Sequence, residues 1–449
     1  MPEPLSRRLL PQWVEPSTVF RMLESRSSDV FWLDAGAQAT EGWSFVGTGR
    51  RSSLPAHVRL DVAPVDPSAP LDPSTPPFAG GWVGWLDYES GAAAVGAPVV
   101  GVVDPNPGSW LHATRVVAFD HSLRRTWALG IDDDLESWAA EVISLSGARG
   151  DAVTVGAAVG VEGVSRVAEA RHDPREYAAL IERCRDLIRA GIAYQLCLTT
   201  RFTVSGPQDA VDVYDRLRSA TPAHHGGFVR IGDRTLLSAS PEQFLHAAGG
   251  IIRTRPIKGT RPRSADPRED AALAAELAVD RKERAENVMI VDLMRNDLSR
   301  VSVPGTIRVE GLWIVESYPA VHQLVSTVSG AAAEGITVGA LLAAAFPAGS
   351  MTGAPKLSAM TRLQELEGGS RGVYAGCFGY IGDDGALDLA MVIRSIVIEG
   401  DRAVVGAGGG ITWGSVAASE VAEVAMKARA PLAALGAEMP GHWRSDILN

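Results

Sequence analysis

Cysteine is scarce in this chain: 449 residues hold three, Cys184, Cys197 and Cys377, far apart and with no Cys-x-x-Cys spacing. That excludes a disulfide scaffold and a cysteine-ligated zinc site, and it fits a reducing compartment, here expected to be the cytoplasm. Long apolar runs are missing too. The most apolar stretch, Gly339 to Ala348, is short and interrupted by Pro347, so no membrane span is expected. The first residues show no apolar core of a secretory signal. Positive charge is not in excess: the formal net charge is −11, which argues against a general affinity for nucleic acid or an anionic membrane. What remains is a globular composition, 46% hydrophobic and 21% charged. The length suits two or three domains or one large intertwined α/β body.

Residues 1–146 read mostly as strands. Val30 to Ala35, Trp43 to Gly47, Gly80 to Tyr88, Arg115 to Phe119 and Thr126 to Gly130 are short aromatic or β-branched runs between Pro, Gly and Asp. Helices are expected after Pro16 and over Leu135 to Ser144. Residues 147–165 are rich in Ala, Gly and Val and read as a linker. Residues 166–435 mix helices and strands, and 436–449 form a tail. Apolar positions at helical spacing predict a helix over Pro174 to Ala190. A strand follows over Tyr194 to Val204, and another over Ile251 to Thr260. A long helical region covers Pro267 to Leu298, broken near Asp280. A helix over Pro355 to Glu365 takes Ser350 or Thr352 as its cap. Strands Val373 to Ile381, Ala386 to Ile398 and Arg402 to Ile411 make a meander before a last helix, Ala418 to Leu435.

Lys258 is the most informative residue. From Arg253 to Arg263 there are five cations and no acid, which suits an anionic ligand. Alternation along a strand puts Thr254, Lys258 and Thr260 on one face and Arg253, Arg255 and Ile257 on the other. An inward lysine must be solvated, paired or used chemically; an edge lysine reaching solvent is the plainer alternative. Glu283 and Glu286 lie three apart on one helix, and Glu420 and Glu423 lie three apart on the last. Each pair shares a helix face, and four such carboxylates suit Mg²⁺, although surface pairs of this kind are common. Lys427, one turn beyond Glu423, is either its ion-pair partner or a holder of a substrate carboxylate. Glu242, just after a strand, is a candidate general acid or a solvated turn residue. Gly408, Gly409 and Gly410, placed between the last strand and last helix, either bring backbone N–H groups to an anion or make a bend. Gly349 to Lys356 lacks the Gly-Lys-Ser/Thr ending of a phosphate loop, so nucleotide binding is rejected.

Together these segments resemble the chorismate-utilising enzymes. The matching stretches are Ser240-Pro241-Glu242, Pro256 to Thr260, Glu286 to Leu293 with Arg295 to Leu298, Thr352 to Lys356, Tyr374-Ala375-Gly376 and the glycine run. Leu23-Glu24-Ser25, Trp43 to Gly47 and Gly80 to Trp85 extend the likeness into the first third. The resemblance implies an α/β fold of two packed antiparallel-rich sheets with helices outside, and a Mg²⁺-dependent reaction on chorismate. It implies Glu286 and Glu423 as direct metal ligands, with Glu283 and Glu420 acting through water. By the same resemblance Glu242 protonates the leaving 4-hydroxyl, His322 lies beside the ring, and Tyr374, Arg394 and Lys427 hold carboxylates. Thr260 and Gly408 to Gly410 complete the substrate site. Trp413-Gly414-Ser415, Ala417-Ala418 and Gly191-Ile192-Ala193 depart from the family pattern and put the pose near the glycine run in doubt.

Two positions select the branch. Relatives that add water carry a base lysine where this chain has Gln195, and a neutral amide cannot activate water. Anthranilate synthases carry alanine where this chain has Lys258. Lysine there resembles the aminodeoxychorismate synthase component I branch, whose lysine attacks C2 of the ring before ammonia attacks C4. Such a lysine needs a lowered pKa, which desolvation is expected to supply. No cysteine sits on a Gly-x-Cys-x-Gly elbow, and the length leaves no room for a glutaminase domain. The resemblance therefore implies a separate glutaminase subunit that supplies ammonia.

Overall fold

The computed structural model describes residues 5–61, 75–101, 108–147 and 166–443. Residues 148–165 of the expected linker and 444–449 of the expected tail lie outside them. The architecture is a large antiparallel sheet system with helices around it. Twenty of the described strands are joined in one hydrogen-bonded network, and two short strands make a small separate sheet. The first third of the chain is stitched into the large network. Val30–Asp34 pairs with His225–Ile231, and Gly81–Leu86 pairs with Cys377–Gly382. Large aromatics fill the core beneath, with Phe20 packed against both Trp32 and Phe228. Burial of that size supplies most of the driving force for the fold. Residues 436–443 pack into the body: Ala437–Glu438 pairs in parallel with Arg166–Val167, and Trp443 is buried against Tyr177 and Phe202.

Several elements follow local sequence rules. Asp173 and Glu176 form a capping box that starts the helix Pro174–Arg189. Asp280 breaks the long helical region as expected, ending Pro267–Val279 and capping Arg281–Ser299 through Oδ1 to the Glu283 N–H at 3.1 Å. The helix Lys356–Glu367 is present, but neither Ser350 nor Thr352 caps it. Pro355 stands at its N-cap, and Thr352 Oγ1 instead donates to the Ala348 carbonyl.

The run around Lys258 differs from a single alternating strand. It is two strands, Ile251–Thr254 and Ile257–Pro262, both paired with Val321–Ala331. Pro256 lacks the N–H a ladder needs, and the chain breaks there. Gly259, at φ +80°, makes a bulge between Lys258 and Thr260, so strict alternation ends at Lys258. The glycine run lies inside the strand Arg402–Ile411, whose bounds are those expected from sequence, and not in the connection that follows it. Past Val405 this strand pairs, among the described residues, only with Gln195–Ser205, which leaves its other edge open toward the cavity.

Candidate active site

A cavity of about 860 Å³ opens among these elements. It is lined by Lys258 and Thr260, the helix Arg281–Ser299, the glycine strand and the last helix, Ala417–Ala434. Glycine at 259 is required twice. Its φ is positive, and an added Cβ would lie 2.8 Å from Leu277 Cδ1 and 3.0 Å from Glu283 Cγ. The close approach sets the Lys258 strand directly against the glutamate helix. Asn287 fixes the same junction: its Nδ2 donates to the Pro256 carbonyl at 3.3 Å, and its Oδ1 accepts from Ser326 Oγ at 2.6 Å.

The glycine strand forms the floor. A Cβ at Gly406 would lie 2.1 Å from the Tyr374 ring, one at Gly410 would lie 2.4 Å from Gln195 Nε2, and one at Gly409 would lie 3.3 Å from Glu420 Oε2. The missing side chains let an aromatic ring, an amide and a carboxylate reach the backbone. Beneath the floor, fully buried Arg371 donates to the Cys197 and Met351 carbonyls and to Glu367, which accepts the Thr199 N–H. Sequence reading missed this brace, because Arg371 and Glu367 look like an ordinary i,i+4 pair.

Of the residues singled out from sequence, Glu242, Lys258, Thr260, Glu283, Glu286, Tyr374, Arg394, Gly408, Gly409, Gly410, Glu420, Glu423 and Lys427 all line the cavity. His322 does not. Its Nδ1 contacts Ser317 Oγ at 2.8 Å and its Nε2 contacts Asp270 Oδ1 at 2.9 Å, while its neighbour Gln323 lines the cavity instead. Alternation along Val321–Ala331 turns the two side chains to opposite sides. Lys427 is the ion-pair partner of Glu423, and it also lines the cavity. No hydrogen bond or ion pair holds the Arg394 guanidinium among the described residues, and Arg394 stands at φ +51° between two strands.

Sequence reasoning also missed Lys282. Its Nζ lies 3.8 Å from Glu286 on its own helix and 3.4 Å from Glu420 on the other. An i,i+4 lysine gives no sign in sequence that it spans two helices. The ionisable lining is balanced: Glu242, Glu283, Glu286, Glu420 and Glu423 face Lys258, Arg261, Lys282, Arg394 and Lys427.

Burial pushes the Glu242 carboxyl up, against Lys258 and a Ser350 hydrogen bond that pull it down. Burial likewise raises Glu286 and Glu283. Glu423 moves down, since Lys427 and its neighbours outweigh burial. Lys258 does not show the expected lowering. Burial depresses it, but Glu286, Cys197, Glu242 and Glu423 outweigh that, and its pKa is raised.

The four glutamates have the hard oxygen chemistry that Mg²⁺ prefers. Buried Glu286 Oε1 has no hydrogen-bond partner, which leaves an acceptor free for a cation. As they stand, however, no three acidic, His or Cys side chains among the described residues converge on one ion. No helix among the described residues is long and apolar enough to cross a membrane.

Comparison with known proteins agrees with this geometry. The family described as chorismate binding enzyme matches residues 28–433. An aminodeoxychorismate synthase of Streptomyces pristinaespiralis is 40% identical over 82% of this chain and 52% of its own length. Anthranilate synthase component 1 of Streptomyces coelicolor is 36% identical over 96% of this chain and 88% of its own. The chain thus spans about half the length of the Streptomyces aminodeoxychorismate synthases it matches. Anthranilate synthase component I of Streptococcus pneumoniae superposes with a TM-score of 0.70 at 27% identity, covering 95% of this chain and 99% of the other. The sheet system, the cavity and these matches lead to one assignment: the chain belongs to the chorismate-binding enzyme family.

Proposed function

We propose that this chain acts as the chorismate-converting component of an aminodeoxychorismate synthase, making 4-amino-4-deoxychorismate from chorismate and ammonia. The observation that carries the reading is Lys258, whose amine faces the cavity in the field of both Glu242 and Glu286. Similarity to proteins named aminodeoxychorismate synthase supports it. So does buried, neutral Gln195 beside the glycine floor, which offers no base to activate water.

In this reading Lys258, as the free amine, attacks C2 of the ring. The ring double bond shifts, the C4–O bond breaks, and Glu242 gives its proton to the departing 4-hydroxyl, which leaves as water. Ammonia then attacks C4, the double bond shifts back, and the C2–N bond to Lys258 breaks. Ammonia's surplus proton returns to the site's bases. Burial suits Glu242 to this work, because it keeps the carboxyl protonated at higher pH than usual. Arg394, unpaired and planar, with Tyr374 and Lys427, would hold carboxylates. Glu286 and Glu423 would hold Mg²⁺ directly, and Glu283 and Glu420 through water. Bound there, Mg²⁺ would offset the carboxylates that keep Lys258 protonated and would supply a counter-charge for a substrate carboxylate. The ammonia would come from a separate glutaminase subunit, and the product would enter para-aminobenzoate and folate synthesis in the cytoplasm.

Anthranilate synthesis is the second reading, favoured by the longer coverage of the Streptomyces coelicolor match. Product identification from chorismate, Mg²⁺ and ammonium separates the two. Aminodeoxychorismate is expected; anthranilate would overturn the proposal, and no turnover would point to a non-catalytic chorismate-binding protein.

A further inference from the structure

Lys282 reaches a carboxylate on each of the two acidic helices. Its stem is half exposed and its Nζ reaches Glu286 Oε1 at 3.8 Å and Glu420 Oε1 at 3.4 Å. Both carboxylates are nearly sealed from solvent, with side chains 10% and 4% exposed. Buried carboxylates facing one another need positive charge between them. A lysine serving only its own helix would stop at Glu286, four residues on; this one crosses to the last helix as well. The fit is loose. At 3.8 Å the ammonium leaves Glu286 Oε1 without a hydrogen bond. A divalent ion held by Glu286 directly and by Glu420 through water would need the space the ammonium occupies between them.

We infer that Lys282 is the built-in counter-ion of the glutamate cluster and competes with a divalent cation for Glu286 and Glu420, so that cation binding requires its ammonium to swing out. The inference rests on the magnesium reading above. It gives the lysine a definite purpose. It holds the two helices together electrostatically until the cation arrives, and its long, half-exposed stem lets it withdraw to water without moving the backbone.

The experiment is calorimetric titration of the substrate-free protein with Mg²⁺, which needs no turnover. Lys282→Gln is expected to bind Mg²⁺ about tenfold more tightly than the unaltered chain, the effect of losing one direct competing contact. Lys282→Arg, which keeps the charge, should stay close to the unaltered affinity. Arg261→Gln removes a positive charge from the same cavity lining, but Arg261 pairs with Glu276 and Asp280, so it reports background charge alone and should tighten binding less than about twofold. Equal tightening in Lys282→Gln and Arg261→Gln would overturn the competition, as would unchanged or weaker binding in Lys282→Gln. Absence of Mg²⁺ binding in all four proteins would instead remove the magnesium reading, and this inference with it.

Discussion

Lys427 Nζ lies 2.7 Å from Glu423 Oε1 and 2.8 Å from the carbonyl oxygen of Gly408. One ammonium therefore ties a carboxylate of the last helix to the glycine floor, and it holds Glu423 in its charged form. Burial alone would raise Glu423, yet Lys427 and the neighbouring lysines carry it below the ordinary range. In Lys427→Met that support is lost and the Glu423 pKa rises. An activity that needs the Glu423 carboxylate is present above its pKa and lost below it. The acidic limb of the kcat/KM profile is thus expected to move to higher pH. A limb that stays in place would show that Glu423 ionisation does not govern it.

The sequence made some of this arrangement readable and hid the rest for physical reasons. The glutamate pairs, Lys258 and Glu242 were visible because helical and strand periodicity are local, and the cavity gathers all of them. His322 and Gln323 show the limit. Either can be read as the inward residue until strand pairing fixes the register, and the structure turns Gln323 inward. Arg371 was invisible for a related reason. Its partners Cys197 and Met351 are backbone carbonyls far along the chain, and no side-chain pattern announces such contacts. The expected alternation was broken at Pro256 and again at the Gly259 bulge, and such a bulge is decided by packing against Leu277 and Glu283. The strand Arg308–Ser317 went unread: its register shifts twice, and Trp313 adopts φ +57°, so period two is lost.

Glu242 gives a pH prediction of opposite sign. A general acid works while protonated, so activity is retained below its pKa and falls as pH rises through it. Burial raises that pKa, and the hydrogen bond from Ser350 partly restrains it. Ser350→Ala removes the restraint, and the alkaline limb of kcat is expected to shift to higher pH. Glu242→Gln should lower kcat by roughly 10²–10⁴-fold and abolish that limb. Retention of the same limb in Glu242→Gln would assign it to another group.

Lys258 is expected to form a covalent adduct with the chorismate-derived ring. Intact-mass analysis after incubation with chorismate and Mg²⁺ in the absence of ammonia should show the added mass, and peptide mapping should place it on Lys258. Lys258→Ala should show none. The raised lysine pKa means that the free amine is scarce at neutral pH, so the adduct should build up faster as pH rises, up to the limb set by Glu242. Label found on Lys282 or Lys427 would sink the nucleophile assignment.

The source of nitrogen gives the last test. Releasing ammonia from glutamine takes an accessible nucleophilic cysteine with a base beside it. Cys184, Cys197 and Cys377 are all buried, and burial pushes the Cys184 thiol up to about 12. Cys197 lines the cavity, but desolvation raises its pKa as well, so it is a poor thiolate. None of the three is placed to attack a glutamine amide. The purified chain is therefore expected to use ammonium salts and to ignore glutamine. Its rate with ammonium should rise toward alkaline pH as free NH₃ increases, up to the limb set by Glu242. Adding a glutaminase subunit should make glutamine a substrate without changing the product. Steady glutamine consumption by the chain alone, measured as glutamate release, would defeat this division of labour.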